Sequence, residues 1–468
     1  MSTIEELNTK IRYDLNRIQT NITNSLSKLS EKGVDVTDKN SNNLAELIDS
    51  ITVVEPLPNG MEWTQVKDGD TPLYGDFKKL WYVGNLFFAY KCIGTNCTLW
   101  RSIDGKNWVH MSDFDASLDS DVENVIIQYI DNKYILNIVA RLVMESTDGI
   151  NWTFCSLAQN TSCICAELLY KQGIYLIIDT VGGNNNELYY CDMNIDDGSY
   201  TKNLCVISGT ENAINCSKLY YYNGVWFAFD SSVGILFSTN AKEWDIATDE
   251  VNSISNFKCA DNSIVVTTDT GVYYCTNGKT FIKSSYTTAC NATKCSLEYG
   301  NGVWILSNPA EGVWHSEDKG ATWQASNNNV NGGTFLAKYA DGIFLVGSSL
   351  PATGGTSSGF YYSKDGATWS STIPVQNSSN NDVYAVSMIE YNNGMWVVYG
   401  REGNNNRIFN SIDVTNYDST KEGINKGGWL PGKTFPYILE KEKILYAKGV
   451  WVLAGKDGLY YSVGWEES

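Results

Sequence analysis

Histidine is almost absent from this chain, with only His110 and His315 among 468 residues. A histidine-based triad or metal centre is therefore poorly supplied. Arginine is also scarce: Arg12, Arg17, Arg101, Arg141, Arg401 and Arg407 are all there are. Positive charge is short overall, with 34 Lys+Arg against 53 Asp+Glu and a formal net charge of −19. That balance disfavours nucleic acid and anionic lipid as partners, since both carry phosphate. No apolar run reaches the ~18 residues of a membrane helix. The start, Met1-Ser2-Thr3-Ile4-Glu5-Glu6, is acidic where a signal peptide would be basic and then apolar. Synthesis in the cytoplasm without signal-directed export is expected. In such a setting the twelve cysteines read as mostly reduced, small apolar residues. Cys163-x-Cys165 lacks a second pair at zinc-ligand spacing. No cofactor and no metal are expected.

Proline is also rare, eight against 40 glycines, which favours many glycine-built turns. Aromatics make up 13% of the chain, with 29 Tyr and 15 Trp, and they suit pleated surfaces. These counts imply a mainly β chain of two to three domains, or one large repeat array.

The first fifty residues differ from the rest. Ile4, Leu7, Ile11, Leu15, Ile18, Ile22, Leu26 and Leu29 recur in steps of three and four, an eleven-residue period that keeps one helical face apolar. A lone helix cannot bury such a stripe, so self-association through Ile4 to Ile22, as a trimer, is expected. Residues 1–52 read as a helical stalk and 53–60, which contain Pro56 and Pro58, as a linker.

Residues 61–468 repeat. One unit is an apolar strand, a two-residue turn, a second apolar strand, then a Tyr-rich strand ending in Ser-x-Asp-Gly-x-x-Trp. First turns stand at Asn223-Gly224, Asn301-Gly302, Asp341-Gly342, Asn393-Gly394 and Lys448-Gly449, with weaker copies at Gly84-Asn85, Asp131-Asn132, Gln172-Gly173 and Asp261-Asn262. Nine units result, at the spacing of a four-stranded propeller blade. An eight-bladed ring with one irregular unit is the alternative, because the third and eighth units lack a good second motif. That motif pairs Asp104 with Trp108, Asp148 with Trp152, Asp318 with Trp323 and Asp365 with Trp369. Asn240 with Trp244 is a worn copy, and Asn277 with Phe281 another. The acid or amide closes the turn on backbone N–H groups, and the indole packs between blades. A copy in every unit argues for structure over catalysis.

These hairpins resemble the Asp-box, or BNR repeat, of sialidase-like β-propellers, over about 400 residues. The resemblance implies an Asp-box propeller of about nine four-stranded blades. With strands lettered A to D outward from the axis, the A–B and C–D turns share one face and the B–C and D–A connections the other. The chain ends on a C strand near Tyr460-Tyr461, while Met61-Glu62-Trp63-Thr64-Gln65-Val66 reads as an orphan D strand. The segment 61–66 is therefore expected to complete the last blade and close the ring. Insertions fall on the B–C face, and their asparagines, Asn184, Asn185, Asn186, Asn404, Asn405 and Asn406, are the candidate binding residues, read as loops. Residues 350–358 form a third insertion.

A self-associating stalk, a linker and a terminal disc resemble a tail fibre or receptor-binding protein of a tailed bacteriophage. Lys32-Gly33-Val34 ahead of Leu44-Ala45-Glu46-Leu47-Ile48 is similar to N-terminal regions of tail proteins from phages of low-GC Gram-positive hosts. The resemblance implies a virion component whose partners are copies of itself, other tail or baseplate proteins, and a host surface glycan or protein. Multivalent display would add roughly 10²–10⁴ in avidity. The alternatives are an architectural baseplate or capsid-decorating protein and, less favoured, a glycan hydrolase. Sialidases grip a carboxylate with three arginines and use a Tyr nucleophile. Arg101, Arg141, Arg401 and Arg407 do not stand in those contexts, so a non-enzyme is expected.

Overall fold

The computed structural model describes residues 63–463 except 94–95, 116–124, 131, 139–141, 155–164, 182–184, 194–199, 291–294, 327–333, 349–359, 373–382, 393, 403–404, 417–427 and 436–442. The stripe from Ile4 to Ile22, the linker and the 350–358 insertion lie outside the described residues. The chain divides into two compact units, Met1–Pro58 and Asn59–Ser468, and the described residues all belong to the second.

This second unit is built from tight hairpins. Asn223 and Gly224 have φ of 49° and 82°, and Asn301 and Gly302 have 49° and 82°. Two successive positive φ angles give a turn whose twist matches that of the flanking strands, which is why Asn-Gly recurs there. Each such turn joins strands A and B of one blade. The strands form nine four-strand antiparallel arrays. They span residues 77–115, 125–154, 165–204, 216–248, 256–283, 296–325, 334–372 and 383–435, with the ninth at 444–463. The architecture is a nine-bladed β-propeller, and the eight-blade alternative is excluded. Two additions carry no signal in the repeat. Val206–Ile207 adds a parallel fifth strand to blade 4 beside Glu243–Thr248, and Lys67–Asp68 pairs with Thr71–Pro72 in a small hairpin.

The A strands of most successive blades adjoin one another, as in blades 5 to 8 and from blade 9 through blade 1 to blade 2, which places them innermost. Nine apolar clusters fill the spaces between blades, one per neighbouring pair. One of them joins blade 9 to blade 1 through Val450, Val452 and Leu459 against Phe77, Phe87 and Trp108. The blades therefore close on themselves. Blade 9 takes its D strand from the other end of the unit: Thr64–Gln65 pairs antiparallel with Leu459–Val463, with Thr64 opposite Tyr461 and Gln65 opposite Tyr460. Val66 N–H donates to the Leu459 carbonyl at 2.9 Å. Lys448 adds a tie across the seam, donating to the carbonyls of Asn85 and Ile103 at 2.9 Å each.

The C–D turns explain the tryptophans. In blade 1, Asp104 Oδ1 accepts from Ser102 Oγ (2.9 Å) and from the N–H groups of Lys106 (2.9 Å) and Asn107 (2.8 Å). Trp108 Nε1 donates to Gly105 O at 2.9 Å. Gly105 has φ +75°, and a Cβ there would lie 3.0 Å from Val452 of blade 9. Glycine thus serves both the turn and the close approach to the neighbouring blade. The same bonds recur at Asp148, Asn240, Asp318 and Asp365. Trp244, Trp323 and Trp369 each donate to the carbonyl three residues back. Trp152 packs against Phe88 of blade 1. In blade 5 the Cys275 thiol replaces the serine, and Asn277 Oδ1 still accepts from Lys279 and Thr280 N–H.

Two positions complete the series. Blade 8 keeps Ser411 and Asp413, whose Oδ1 accepts from Thr415 N–H at 2.9 Å. Its indole comes from Trp429, after an insertion, fully buried against Phe360 with ring centroids 5.2 Å apart. For blade 9 the equivalent indole is Trp63, which directly precedes the D strand and packs with Met388 and Val397 of blade 8. The seam therefore cuts the last C–D hairpin and leaves its tryptophan at the beginning of the unit. Burying such a ring contributes a few kcal/mol.

Candidate functional site

The B–C face is uneven, and strand length is the reason. In blades 5 and 6 the B strands have six residues and the C strands five. Blade 1 has eight and seven (Leu86–Ile93, Asn96–Ser102), blade 3 eight and nine (Ile174–Val181, Asn185–Met193), and blade 8 eight and seven (Met395–Glu402, Asn405–Ser411). The B strands begin at the same point after the A–B turn. Two extra residues at about 3.4 Å each carry these hairpins about 7 Å further from the disc.

This corrects the reading of the asparagines. Asn185 and Asn186 are not loop residues, since they pair with Val181 and Thr180 inside the ladder. Asn405 and Asn406 likewise pair with Glu402 and Arg401, and Asn406 also faces Phe435 of the D strand. Asparagine's turn preference is outweighed here by cross-strand pairing, on one side for Asn185, Asn186 and Asn405 and on both for Asn406. Asn184 and Asn404 lie outside the described residues.

The blade 3 hairpin is stitched to blade 4. Asn186 N–H donates to Asn215 Oδ1 at 2.9 Å, and Asn215 N–H donates to Asp230 Oδ2 at 2.8 Å. On the same hairpin Tyr189 donates its hydroxyl proton to Glu187 Oε2. Lys202 pairs with Asp179, whose side chain is only 3% exposed, and lies 4.1 Å from the centroid of the Tyr189 ring. The hairpin is thus held by one ion pair, Lys202 with Asp179, and by the Tyr189–Glu187 hydrogen bond.

Blade 9 is low, with five residues in each of its B and C strands, and it stands between the tall blades 8 and 1. The floor of this notch carries the turn at Lys456–Asp457 and the hairpin at residues 67–72. Burial, then a hydrogen bond to the Asp457 carboxylate, pushes the Tyr460 phenol up from its ordinary value. Tyr74 stands 61% exposed nearby, its carbonyl held by Lys91 Nζ at 2.7 Å and its neighbours Leu73 and Phe77 buried. Neither Tyr74 nor the tall hairpin of blade 1 is among the residues expected from the motifs. A signal for the hairpin does exist in the sequence: a 17-residue gap from Asn85 to Ser102, against 13 from Asn262 to Cys275.

The opposite face is tied around its inner rim. Tyr134 donates to Gly84 O at 2.6 Å, Asn262 N–H donates to the Tyr222 hydroxyl at 3.2 Å, and Lys338 pairs with Glu390 at 2.9 Å between adjacent A strands. Among the described residues no group of three or more His, Cys, Asp and Glu is placed to hold a metal, and no helix is long and apolar enough to cross a membrane.

No family model matches the chain, and no curated protein matches it. Among solved structures it is similar to the computationally designed Ika8 protein, at 11% identity and TM-score 0.46, over 86% of this chain and 100% of that one. BamB from Moraxella catarrhalis has 9% identity and TM-score 0.39, over 72% and 96%. YCF48 bound to D1 peptide has 14% identity and TM-score 0.36, over 62% and 92%. The propeller assignment rests on the strand pairing of this chain itself.

Proposed function

We propose that the chain is a bacteriophage virion tail component, a tail fibre or receptor-binding protein, whose propeller binds a host cell-surface glycan or protein without catalysis. One observation carries the reading: the long hairpins of blades 1, 3 and 8 all rise from the face opposite the one where Trp63 leads into the ring. The repeated Ser-x-Asp turns support kinship with Asp-box propellers of the sialidase-like kind. Asparagine amides, which both donate and accept, and exposed rings such as Tyr74 suit neutral sugars. The acidic chain disfavours a polyanionic receptor. Copies of the chain joined through Ile4, Leu7, Ile11, Leu15, Ile18 and Ile22 would present several such faces.

The test is co-sedimentation with purified cell walls of low-GC Gram-positive bacteria, before and after periodate oxidation of their sugars. Binding that is lost on oxidation, and lost on shortening the blade 3 and blade 8 hairpins by the residues 181–186 and 402–405, supports the reading. Release of reducing sugar during the incubation would turn it into a hydrolase. Absence of binding to any wall, with incorporation into the particle intact, would leave the architectural role.

A further inference from the structure

Tyr74 is an aromatic ring kept out of the core by a backbone pinned on both sides. It stands 61% exposed, while Leu73 beside it is 7% exposed and Phe77 is fully buried. Leu73 N–H donates to Val66 O at 2.8 Å, and Phe77 N–H donates to Gly455 O at 3.0 Å. Between them Lys91 Nζ, from the B strand of blade 1, donates to Tyr74 O at 2.7 Å. Gly75 has φ +123°, and a Cβ there would lie 2.3 Å from Lys91 Cε. The B–C turn of blade 9, residues 455–458, lies against the same loop. A Cβ on Gly458 would fall 2.5 Å from Leu73 O, and Gln65 Nε2 donates to Asp457 O at 3.3 Å. That turn brings the exposed Lys456 and the half-buried Asp457 beside the loop of the tyrosine. The other charges of the loop are already engaged, Asp76 with Lys78 at 2.7 Å and Lys91 with the Tyr74 carbonyl.

We propose that the floor of the notch above blade 9 binds one neutral sugar residue of a glycan, with the Tyr74 ring as the platform for the sugar's C–H face and Asp457 and Lys456 as the partners of its hydroxyls. The inference rests on the reading of the propeller as a glycan binder and names where the sugar sits. A ring whose backbone is already fixed has only its side-chain torsions to lose on binding, so little of the stacking energy goes into ordering it. The phenol at its tip keeps the empty platform compatible with water. An ionised carboxylate accepts from sugar hydroxyls and an ammonium donates to them. Asp457 already accepts from the Tyr460 phenol, and with about four lone-pair sites it has room for sugar hydroxyls as well. Adjacent charges of opposite sign favour an uncharged ligand: a polyanion would meet Asp457, and a basic peptide would meet Lys456.

The test is saturation-transfer NMR on the full-length protein, with methyl glucoside, methyl galactoside and methyl N-acetylglucosaminide as probes. At least one probe should receive saturation, strongest at the ring hydrogens of one sugar face. Tyr74→Ala should weaken the binding of that sugar by about ten-fold or more, as expected for losing a stacked ring. Tyr74→Phe and Tyr74→Trp should keep it. The ring is exposed, so Tyr74→Ala should leave the urea midpoint unchanged. No transfer to any of the three probes, or equal binding by wild type and Tyr74→Ala, would overturn the proposal. Co-sedimentation with cell walls separates this site from the reading it rests on. Wall binding that Tyr74→Ala leaves unchanged would overturn the site and leave that reading standing. Sugar binding that depends on Tyr74, with no wall binding by wild type, would support the site and overturn the host-wall reading.

Discussion

A single carboxylate holds the C–D turn in blades 1, 2, 6, 7 and 8, and its chemistry shows in acid. Burial opposes ionisation of Asp104, but the hydrogen bonds from Asn107, Lys106 and Ser102 outweigh it and lower the pKa from 3.8 to about 2. The same kinds of bond hold Asp318 and Asp365 below the ordinary value. A depressed folded pKa gives stability that is full above the unfolded value and drains as pH falls through the folded one. The urea midpoint should therefore drop between pH 3.8 and about 2, and Asp104→Asn should flatten part of that drop. Asp365→Ala should cost about 0.5–1.5 kcal/mol in urea unfolding, since the exposed N–H groups of Ala367 and Thr368 exchange the carboxylate for water. Asp365→Asn should cost less, because Asn240 and Asn277 already close the turns of blades 4 and 5. Trp429→Ala should cost about 3–5 kcal/mol, the range for emptying a buried aromatic site.

At the scale of the element, the turns and strands were legible in the sequence, and the ends of the long hairpins were not. Asn223-Gly224 and Asn301-Gly302 announce their turns because positive φ selects those residues. The Asp and Trp spacing announces the C–D hairpins for the same local reason. Blade 8 hid its tryptophan because Ser411 and Asp413 are separated from Trp429 by a stretch that local spacing cannot bridge. Asn186 and Asn406 looked like loop residues because their strand state depends on cross-strand partners, Thr180 and Arg401, and not on their own preference. Residue propensity is weakest where a ladder is extended from one end. The seam element gives its own test. Val66 is fully buried among Leu73, Val452 and Leu459, so Val66→Asp should destabilise by more than about 3 kcal/mol. Thr64→Ser, on an exposed neighbour, should change the urea midpoint little.

For the whole propeller unit, closure is the property on which the faces depend. Nine apolar clusters couple each blade to two others, and among the described sheets only that of blade 9 is assembled from both ends of the unit. That arrangement covers both flanks of every blade, and it sets the side where Trp63 enters against the side of the tall hairpins. The repeat, its nine-unit count and the orphan strand could all be read from the sequence, since periodicity survives divergence of individual copies. The notch above blade 9 could not, because it comes from the relative heights of blades 8, 9 and 1. The most direct test compares a chain lacking residues 1–60 with one lacking 1–66, by urea unfolding and size-exclusion chromatography. The shorter deletion should leave one cooperative transition. The longer one, without Trp63 and the Thr64–Gln65 strand, should lose several kcal/mol and associate through the exposed edge of Leu459–Val463. Equal stability of the two would contradict a ring closed by that strand.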